Sequence, residues 1–375
     1  MEPDLPPPIA ARAAAAFTWA MTMAAASGEI PRGLNQPLWQ AAAAQGLLQP
    51  IDPTASHRGA RDAATIFTAL GRAGLDRGFL FALGAHLFGV LAPFLRHAAP
   101  AQRARWETGL RDGRLIGALA VTEPGGGSSF DTLATSVRTN GSDLHLTGRK
   151  VLITNAPDAH LLLVLARHFP DRGPLGLSMF AVPRDTPGLA IHPIATTGLH
   201  GAPMGEVDLE ACRLTPDHLI GAPGAGLRVF QTAMAWERSL ILAAFLGAAT
   251  ADLRRAILFL TERKSLHHQT TAHRIARIHL RIAAAGHLLD AAAAALDAGR
   301  EDLTAAAMAK LAASEAVVDA ASETARLLAG AGWRGIPFDT AATIADTIGT
   351  LFASGTSEIQ LDIIARHAIT AARRQ

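Results

Sequence analysis

Hydrophobic positions along the chain recur at helical spacing near both ends and at a shorter period in the middle. Between residues 9 and 112, apolar segments of helix length are separated by Pro and Gly. These segments span residues 10–25, 38–48, 61–73 and 79–95. From about 115 to 222, alternating residues and short apolar runs separated by turn residues predict strands. From about 225 the spacing is helical again, so the order of elements is helices, strands, helices.

The last region carries a clear helical stripe. Its apolar members are Ile275, Ile278, Ile282, Ala285 and Leu289. Three- and four-residue spacing places them on one face of a helix. Two further Ala-rich helices are predicted near 302–328 and 357–373, and their small side chains favour close packing in a bundle. We therefore predict three domains: an N-terminal α-helical domain at 1–113, a middle β-domain at 114–222 and a C-terminal helical bundle at 223–375.

Composition and charge narrow the class of protein. The chain has 375 residues, of which 49% are hydrophobic, and a net charge of +2. This is ample for a large core and gives no basic excess for nucleic acid. The single cysteine, Cys212, is consistent with a reducing cytoplasm. Apolar stretches are interrupted by Arg, His or Asp, so we expect a cytoplasmic protein without a membrane span. The histidines near 267–273 have no acidic or cysteine partner, and we expect no metal.

Two segments in the middle region carry groups able to contact a ligand. Ala120–Asp131 (AVTEPGGGSSFD) combines three glycines, which allow close backbone approach, with the hydroxyls of Thr122 and Ser128. A plain Gly-rich loop explains this segment equally well. Thr147–Ala156 (TGRKVLITNA) contains a turn at a glycine and then a strand, and an ordinary edge strand is the alternative.

A third segment pairs opposite charges at a helix. Met234–Ser239 (MAWERS) precedes the apolar run Leu240–Leu260, so the pair Glu237 and Arg238 is predicted at a helix start. The structural alternative to catalysis is that Glu237 lies in a first turn, where the helix dipole favours an acid, with Arg238 as its counter-charge.

A fourth segment, Phe352–Gln360 (FASGTSEIQ), precedes the last predicted helix. Thr356 or Ser357 is a suitable N-cap for that helix, and such a cap can also contact a ligand.

Taken in this order, the four segments resemble the acyl-CoA dehydrogenase family, whose patterns are roughly TEPxAGSD, GxKxxITN, a Glu/Arg helix start and EGTSEIQ. The resemblance extends from about residue 38 to 372. It implies a helical N-terminal domain, a β-barrel-like middle domain and a C-terminal four-helix bundle, usually in a homodimer or homotetramer. It also implies a flavin adenine dinucleotide (FAD) cofactor between the middle domain and the bundle.

The resemblance assigns roles to individual residues. It implies that Thr122 and Ser128 contact the flavin and that Leu152, Ile153 and Thr154 flank its ring. The diphosphate and adenosine ends would be held by Arg263, Gln269 and the turn containing Gly330, with Arg263 reaching the FAD of a neighbouring subunit. Thr356 and Glu358 would complete the cofactor site. The substrate contacts implied are Ser128, Arg238 and Gly355.

The family's reaction also needs a base for the α-proton of a thioester, while the β-hydrogen leaves as hydride to the flavin. In many members the base is the Glu directly before Gly-Thr-Ser, but this chain has Ser354 there. Other members place the base before an Arg at a helix start, where this chain has Glu237. We therefore predict Glu237 as the base and expect burial to raise its pKa.

Several positions depart from the family pattern. They are Ser129, Leu152, Leu266, Ala345 and Ser354. Three functions remain open: a dehydrogenase, a flavin oxidase or monooxygenase on the same fold, and a non-enzymatic structural partner.

The substrate and partners are also open. The segments at 82–89, 153–157 and 236–238 are similar to family members of bacterial natural-product pathways that act on carrier-protein-bound acyl groups. The predicted partner is therefore acyl-CoA or an acyl-carrier protein, with a flavoprotein or oxygen as electron acceptor. The basic stripe Arg274, Arg277 and Arg281 is either a surface for an acidic carrier protein or a set of solvated or subunit-facing arginines.

Overall fold

The structure is a computed structural model of the chain. It describes residues 7–26, 32–49, 51–56, 58–127, 130, 132–141, 143–266 and 268–373. The predicted flavin and substrate contact Ser128 lies outside the described residues, as does Ser129.

Six α-helices lie in the described residues of the N-terminal part. They are α1 (Pro7–Ala26), α2 (Gln36–Ala44), α3 (Ala60–Arg72), α4 (Arg77–Gly84), α5 (Ala92–His97) and α6 (Pro100–Arg111). A π-helical segment, Ala85–Leu91, joins α4 to α5. Side chains begin two of the helices, because Asn35 accepts from the backbone N–H of Leu38 and Asp76 from that of Phe79. The helical segments predicted at 10–25, 61–73 and 79–95 are confirmed. The segment predicted at 38–48 is helical only to Ala44, because turns follow at 45–48.

The middle part is one eight-stranded sheet. Its strands are β1 (Gly117–Ala120), β2 (Ser136–Asn140), β3 (Asp143–Thr154), β4 (Leu161–Arg167), β5 (Leu177–Pro183), β6 (Leu189–Ile194), β7 (Met204–Leu214) and β8 (Leu219–Ile220). Their order is β6-β7-β3-β2-β4-β5-β8, and β1 pairs with β4 in parallel. β3 and β7 form a long antiparallel pair with two register shifts. One of these shifts bears directly on the site described below.

The sheet separates two apolar cores. Along β4, alternate residues point to opposite faces. Leu161, Leu163 and Leu165 join a core shared with the helices at both ends of the chain, whereas Leu162 and Val164 join a core within the β-region. The larger core therefore continues through all three predicted domains.

The C-terminal part consists of seven helices in the described residues. They are α7 (Gly226–Leu240), α8 (Ala243–Glu262), α9 (Gln269–Asp297), α10 (Leu303–Leu328), α11 (Gly330–Trp333), α12 (Thr340–Ile348) and α13 (Ser357–Ala372). The predicted domain boundaries at 113/114 and 222/223 fall between α6 and β1 and between β8 and α7. They stay predictions as limits of separate domains.

Two described stretches are long and apolar enough to cross a membrane by length and composition. Arg77–His97 has 94% of its window buried inside the protein, which is typical of a core helix. Ile9–Ala26, near the N-terminus, has 11% of its window buried.

Candidate active site

Glu237 lies in the last turn of α7, which ends at Leu240. The prediction of a helix start was wrong, because the chain turns between α7 and α8 instead of continuing one helix from Leu240. The alternative in which the helix dipole favours Glu237 in a first turn fails for the same reason. At this end the dipole favours Arg238.

The Glu237 carboxylate is buried, with 8% of the residue exposed. The Ser354 hydroxyl donates a hydrogen bond to its Oε1. Its Oε2 lies against Gly89 of the π-helical segment, where an added Cβ would be 2.5 Å from that oxygen. Burial raises the pKa of Glu237, and the Ser354 hydrogen bond and the Arg238 charge offset only part of that rise. A buried carboxyl with a raised pKa and a charged neighbour is typical of functional sites.

Arg238 connects this helix to the loop before α13. Its Nε donates to the backbone oxygen of Ser354 at 2.8 Å. Gly355 adopts a φ of +92°, and a Cβ there would be 3.2 Å from an Arg238 guanidinium nitrogen. Burial lowers the pKa of Arg238 to about 10, which leaves it charged at neutral pH. The predicted substrate residues Arg238 and Gly355 are therefore brought together beside Glu237.

Two buried side chains hold the same loop from the bundle. Gln360 Nε2 donates to the backbone oxygens of Ser354 and Gly355 at 3.2 Å and 3.0 Å. Lys310 Nζ of α10 donates to the backbone oxygen of Leu351 at 3.1 Å, and burial lowers the pKa of Lys310 to about 8. The loop is thus fixed by contacts that sequence reasoning did not identify.

Thr356 begins α13 as predicted. Its side chain accepts a hydrogen bond from the backbone N–H of Ile359 at 3.5 Å. Glu358 follows in the first turn and is exposed, and hydrogen bonds from its own backbone N–H and from Thr356 lower its pKa. The cap is therefore confirmed, while the assignment of both residues to a cofactor stays a prediction.

A buried ion pair joins the first two motifs. Lys150 Nζ lies 2.8 Å from Glu123 Oε1, and no part of the Lys150 side chain is exposed. The backbone N–H groups of Ala134 and Thr135 also donate to the Glu123 carboxylate at 2.6 Å and 2.9 Å. Burial opposes ionisation of Glu123, but these donors outweigh it and lower its pKa. The alternation of buried and exposed residues along a strand could have revealed Lys150. It lies an even number of positions after the buried residues Leu144 and Leu146 of β3 and so faces the same side.

A β-bulge in β3 turns Leu152 outward. Lys150 pairs with Val207 and Ile153 pairs with Gly205, so β3 contains one more residue than β7 between these pairs. Leu152 consequently has a φ of +58° and is 59% exposed, whereas Ile153 is buried. Val151 N–H donates to the backbone oxygen of Thr122 at 2.9 Å, which places Thr122 beside the bulge.

The bulge near the end of β3, an inner strand of the sheet, fits the ring of a flavin. An apolar side chain stands open on a rigid bulge at Leu152, with the hydroxyl-bearing Thr122 and Thr154 adjacent. Gly125 and Gly126 leave open space where a Cβ would stand, so a ligand can approach the backbone closely. The residues present therefore fit an apolar ring system with polar edges.

The predicted contacts for the other end of the cofactor lie elsewhere. Arg263 follows the end of α8, with its guanidinium 4.6 Å from the centre of the Phe259 ring. Gln269 begins α9 and Gly330 begins α11, and all three residues are exposed. In the described part of the chain, no hydrogen bond, ion pair or ring contact connects them to Thr122, Leu152 or Glu237.

The basic stripe of α9 is largely paired with acids of α10. Arg281 forms an ion pair with Asp319, and Arg274 lies 3.8 Å from Glu323. This pairing explains two of its three arginines without a carrier protein.

Comparison with known proteins identifies the family. The model of the acyl-CoA dehydrogenase middle domain matches residues 118–212, and that of the C-terminal domain matches residues 224–369. An L-prolyl-[peptidyl-carrier protein] dehydrogenase of Pseudomonas fluorescens is 33% identical over 355 residues, covering 92% of this chain and 93% of the relative. The chain belongs to the acyl-CoA dehydrogenase family. The family and fold predicted from the sequence are confirmed.

Solved structures agree with this family. The structure titled prolyl acyl carrier protein oxidase AnaB has a TM-score of 0.91 and 27% identity, covering 97% of this chain and 99% of that chain. PigA with FAD and proline has a TM-score of 0.90 and 28% identity, covering 98% and 99%. The predicted enzyme class, an FAD-dependent oxidoreductase of the acyl-CoA dehydrogenase type, and the FAD cofactor are confirmed.

Proposed function

We propose that this acyl-CoA dehydrogenase family member is an FAD-dependent dehydrogenase of an acyl thioester in which Glu237 removes the α-proton. One observation carries the proposal: a buried carboxyl with a raised pKa lies in the last turn of α7, supported by a loop of the C-terminal bundle. Among the described residues, Glu237 is the carboxyl that accepts a hydrogen bond from the Ser354 hydroxyl.

The chemistry needs such a group. Glu237 accepts the proton from the α-carbon, and the electron pair of the broken C–H bond remains on the substrate. FAD, when bound, supplies the two-electron acceptor for the β-hydrogen. A raised pKa brings the carboxyl closer to the weak acidity of the α-proton, which favours transfer. The Arg238 charge stays beside the carboxylate and limits the cost of its ionisation.

The residues proposed to hold FAD form two groups. Thr122, Leu152, Ile153 and Thr154 support binding of the ring at the bulge of β3, with Thr356 and Glu358 from the start of α13. Ser128 is proposed for the same role and for contact with the thioester. The exposed residues Arg263, Gln269 and Gly330 are proposed for the diphosphate and adenosine end.

A subunit interface is proposed for the second group. Arg263, Gln269 and Gly330 are exposed, and apolar side chains are exposed in the same part of the chain. They include Trp333, Leu280, Phe352 and Leu361, with exposures of 91%, 68%, 63% and 55%. Large exposed apolar groups are typical of surfaces that are covered by a partner. We propose a homodimer or homotetramer in which a neighbouring subunit completes the FAD site.

The proposed substrate is an aminoacyl or acyl group on a carrier protein, with L-prolyl as the first candidate. Two curated relatives carry the name L-prolyl-[peptidyl-carrier protein] dehydrogenase, at 33% and 30% identity over 92% and 89% of this chain. Acyl-CoA is the alternative donor, since a curated short-chain specific acyl-CoA dehydrogenase of Mus musculus is 30% identical over 81% of the chain.

Oxygen as the electron acceptor is a second candidate, because AnaB is named an oxidase and covers 97% of this chain. Stopped-flow mixing of the substrate-reduced protein with air-saturated buffer distinguishes the two. Reoxidation within seconds supports an oxidase, whereas reoxidation over many minutes supports a dehydrogenase that uses a flavoprotein acceptor.

The Glu237→Gln variant tests the base. Gln keeps the size and the oxygen that accepts from Ser354 but cannot take a proton, so we expect flavin binding to persist and turnover to fall at least 100-fold. The measurement is anaerobic loss of flavin absorbance after mixing with an L-prolyl thioester of a peptidyl carrier protein, followed by a panel of acyl-CoA thioesters. Glu210→Gln, at an exposed position of β7, is the matched control. Full activity of Glu237→Gln contradicts the assignment.

A further inference from the structure

Ser354 is held in an unusual conformation beside the proposed base. Its φ of +55° lies in the left-handed region, which non-glycine residues adopt only when their surroundings stabilise it. Here the surroundings are Arg238 and Gln360, whose side chains both donate to the Ser354 backbone oxygen. The strained backbone therefore belongs to a residue fixed against α7.

This conformation directs the hydroxyl to Glu237. Ser354 Oγ donates to Oε1, while no described residue donates a hydrogen bond to Oε2. Oε2 faces Gly89, the residue of the π-helical segment whose missing side chain leaves room for it. The two carboxylate oxygens are thus in different environments: one is hydrogen-bonded and the other is free to accept a proton.

We infer that Ser354 is a positioning residue for the reaction: its hydroxyl holds Oε1 of Glu237 and leaves Oε2 as the oxygen that accepts the substrate proton. This inference rests on the proposed function, since it assumes that Glu237 is the base. It assigns a role to the side chain that stands where many family members have their catalytic Glu.

The charges around the carboxyl determine what the hydrogen bond does. The positive charge of Arg238, on the same helix, opposes the rise in the Glu237 pKa. The same charge lowers the pKa of Lys310 of α10. His86, the titratable residue of the π-helical segment, is bonded instead to the Leu110 oxygen and the Gly117 N–H. A donor to a carboxylate stabilises its ionised form, so the Ser354 hydroxyl counteracts the rise in the Glu237 pKa that burial causes.

The test compares Ser354→Ala with the unaltered protein in the flavin-loaded full chain. Without the hydroxyl, the Glu237 pKa rises further, so the acidic limb of the pH–rate profile should move upward by about one pH unit. With an L-prolyl carrier-protein thioester as probe, KM should stay within twofold. The control is Ser357→Ala, three residues after Ser354, which removes a hydroxyl that donates to Glu315. It should leave the profile unchanged.

A second readout needs no substrate. Because the hydrogen bond favours the ionised carboxyl, the loss of Tm in Ser354→Ala should grow as pH rises from about 5 to 8. An unshifted rate profile, or a Tm loss that is equal at all pH values, overturns the role of Ser354 even when Glu237→Gln is inactive. An active Glu237→Gln overturns the base and the role of Ser354 together.

Discussion

Glu237 depends on a neighbouring residue that has no side chain. Gly89 is close enough that a Cβ there would stand 2.5 Å from Glu237 Oε2, well inside van der Waals contact. The same glycine lies in a π-helical segment, a form of helix that is uncommon and frequent at functional sites. The position of the proposed base is thus controlled from the N-terminal helices as well as from the bundle.

Gly89→Ala should displace the carboxylate while keeping the fold. A displacement of about 1 Å at a reacting group can cost roughly 100-fold in rate, and we expect a loss of kcat of that order. Steady-state kinetics and the flavin spectrum measure it. Gly286→Ala is the matched control, since a Cβ at that helical position meets nothing within 4 Å. Equal activity of the two variants would show that Oε2 does not need this space.

At the scale of elements, the bulge of β3 lies next to the buried ion pair between Lys150 and Glu123. Lys150 lies immediately before the bulge that exposes Leu152, and its ammonium group also donates to the Val121 backbone oxygen at 3.0 Å. Burial lowers the pKa of Lys150 and Glu123 raises it again in part, which leaves it at about 8. The ammonium group therefore stays charged at neutral pH. This pair connects the strand to the Gly-rich segment after β1.

Lys150→Met should destabilise the protein by about 3 kcal/mol, because it leaves the buried Glu123 carboxylate without its counter-charge. Urea unfolding at pH 7 measures this loss. Arg149→Met, one residue earlier in β3, removes an ion pair with Glu206 from a side chain that is 53% exposed. That variant should lose less than about 1 kcal/mol. Similar losses in both variants would contradict a special role for the buried pair.

The sequence predicted most of the elements and the identity of the proposed base, but not how they meet. The period of apolar residues was enough for the long apolar helices, such as α1, α9 and α10, and for β4 and β5. It did not reveal α6, α7, α11 or α12. The prediction that a helix starts at Glu237 was wrong. The apolar run continues across the turn between α7 and α8, so the hydrophobic pattern does not show where α7 ends. The contact between Ser354 and Glu237 joins residues that are 117 positions apart, and no local pattern encodes it.

At the scale of the whole molecule, one chain supplies the proposed catalytic side of the cofactor site and leaves the other side exposed. Arg263, Gln269 and Gly330 are exposed, and Trp333, three residues after Gly330, is 91% exposed. An assembly of subunits would cover these surfaces.

FAD affinity should therefore depend on association. Dilution below the concentration at which subunits assemble should release flavin, because binding energy from the neighbouring subunit is lost. Analytical ultracentrifugation detected at the flavin absorbance measures assembly and occupancy in one experiment. Arg263→Ala should weaken FAD binding without changing the helical content measured by circular dichroism. A monomer that retains its full flavin content would refute the shared site.

The amino-acid sequence by itself determined the family, the order of helices and strands and the carboxylate available as a base. These follow from the spacing of apolar residues and from short motifs, both of which can be recognised without knowing how the chain folds. Only the tertiary structure decided that Glu237 ends its helix, that one of its oxygens is held by Ser354 and that the other faces Gly89. It also decided that Lys150 is buried and Leu152 exposed, because burial and the pKa shifts that it causes depend on residues distant in the chain.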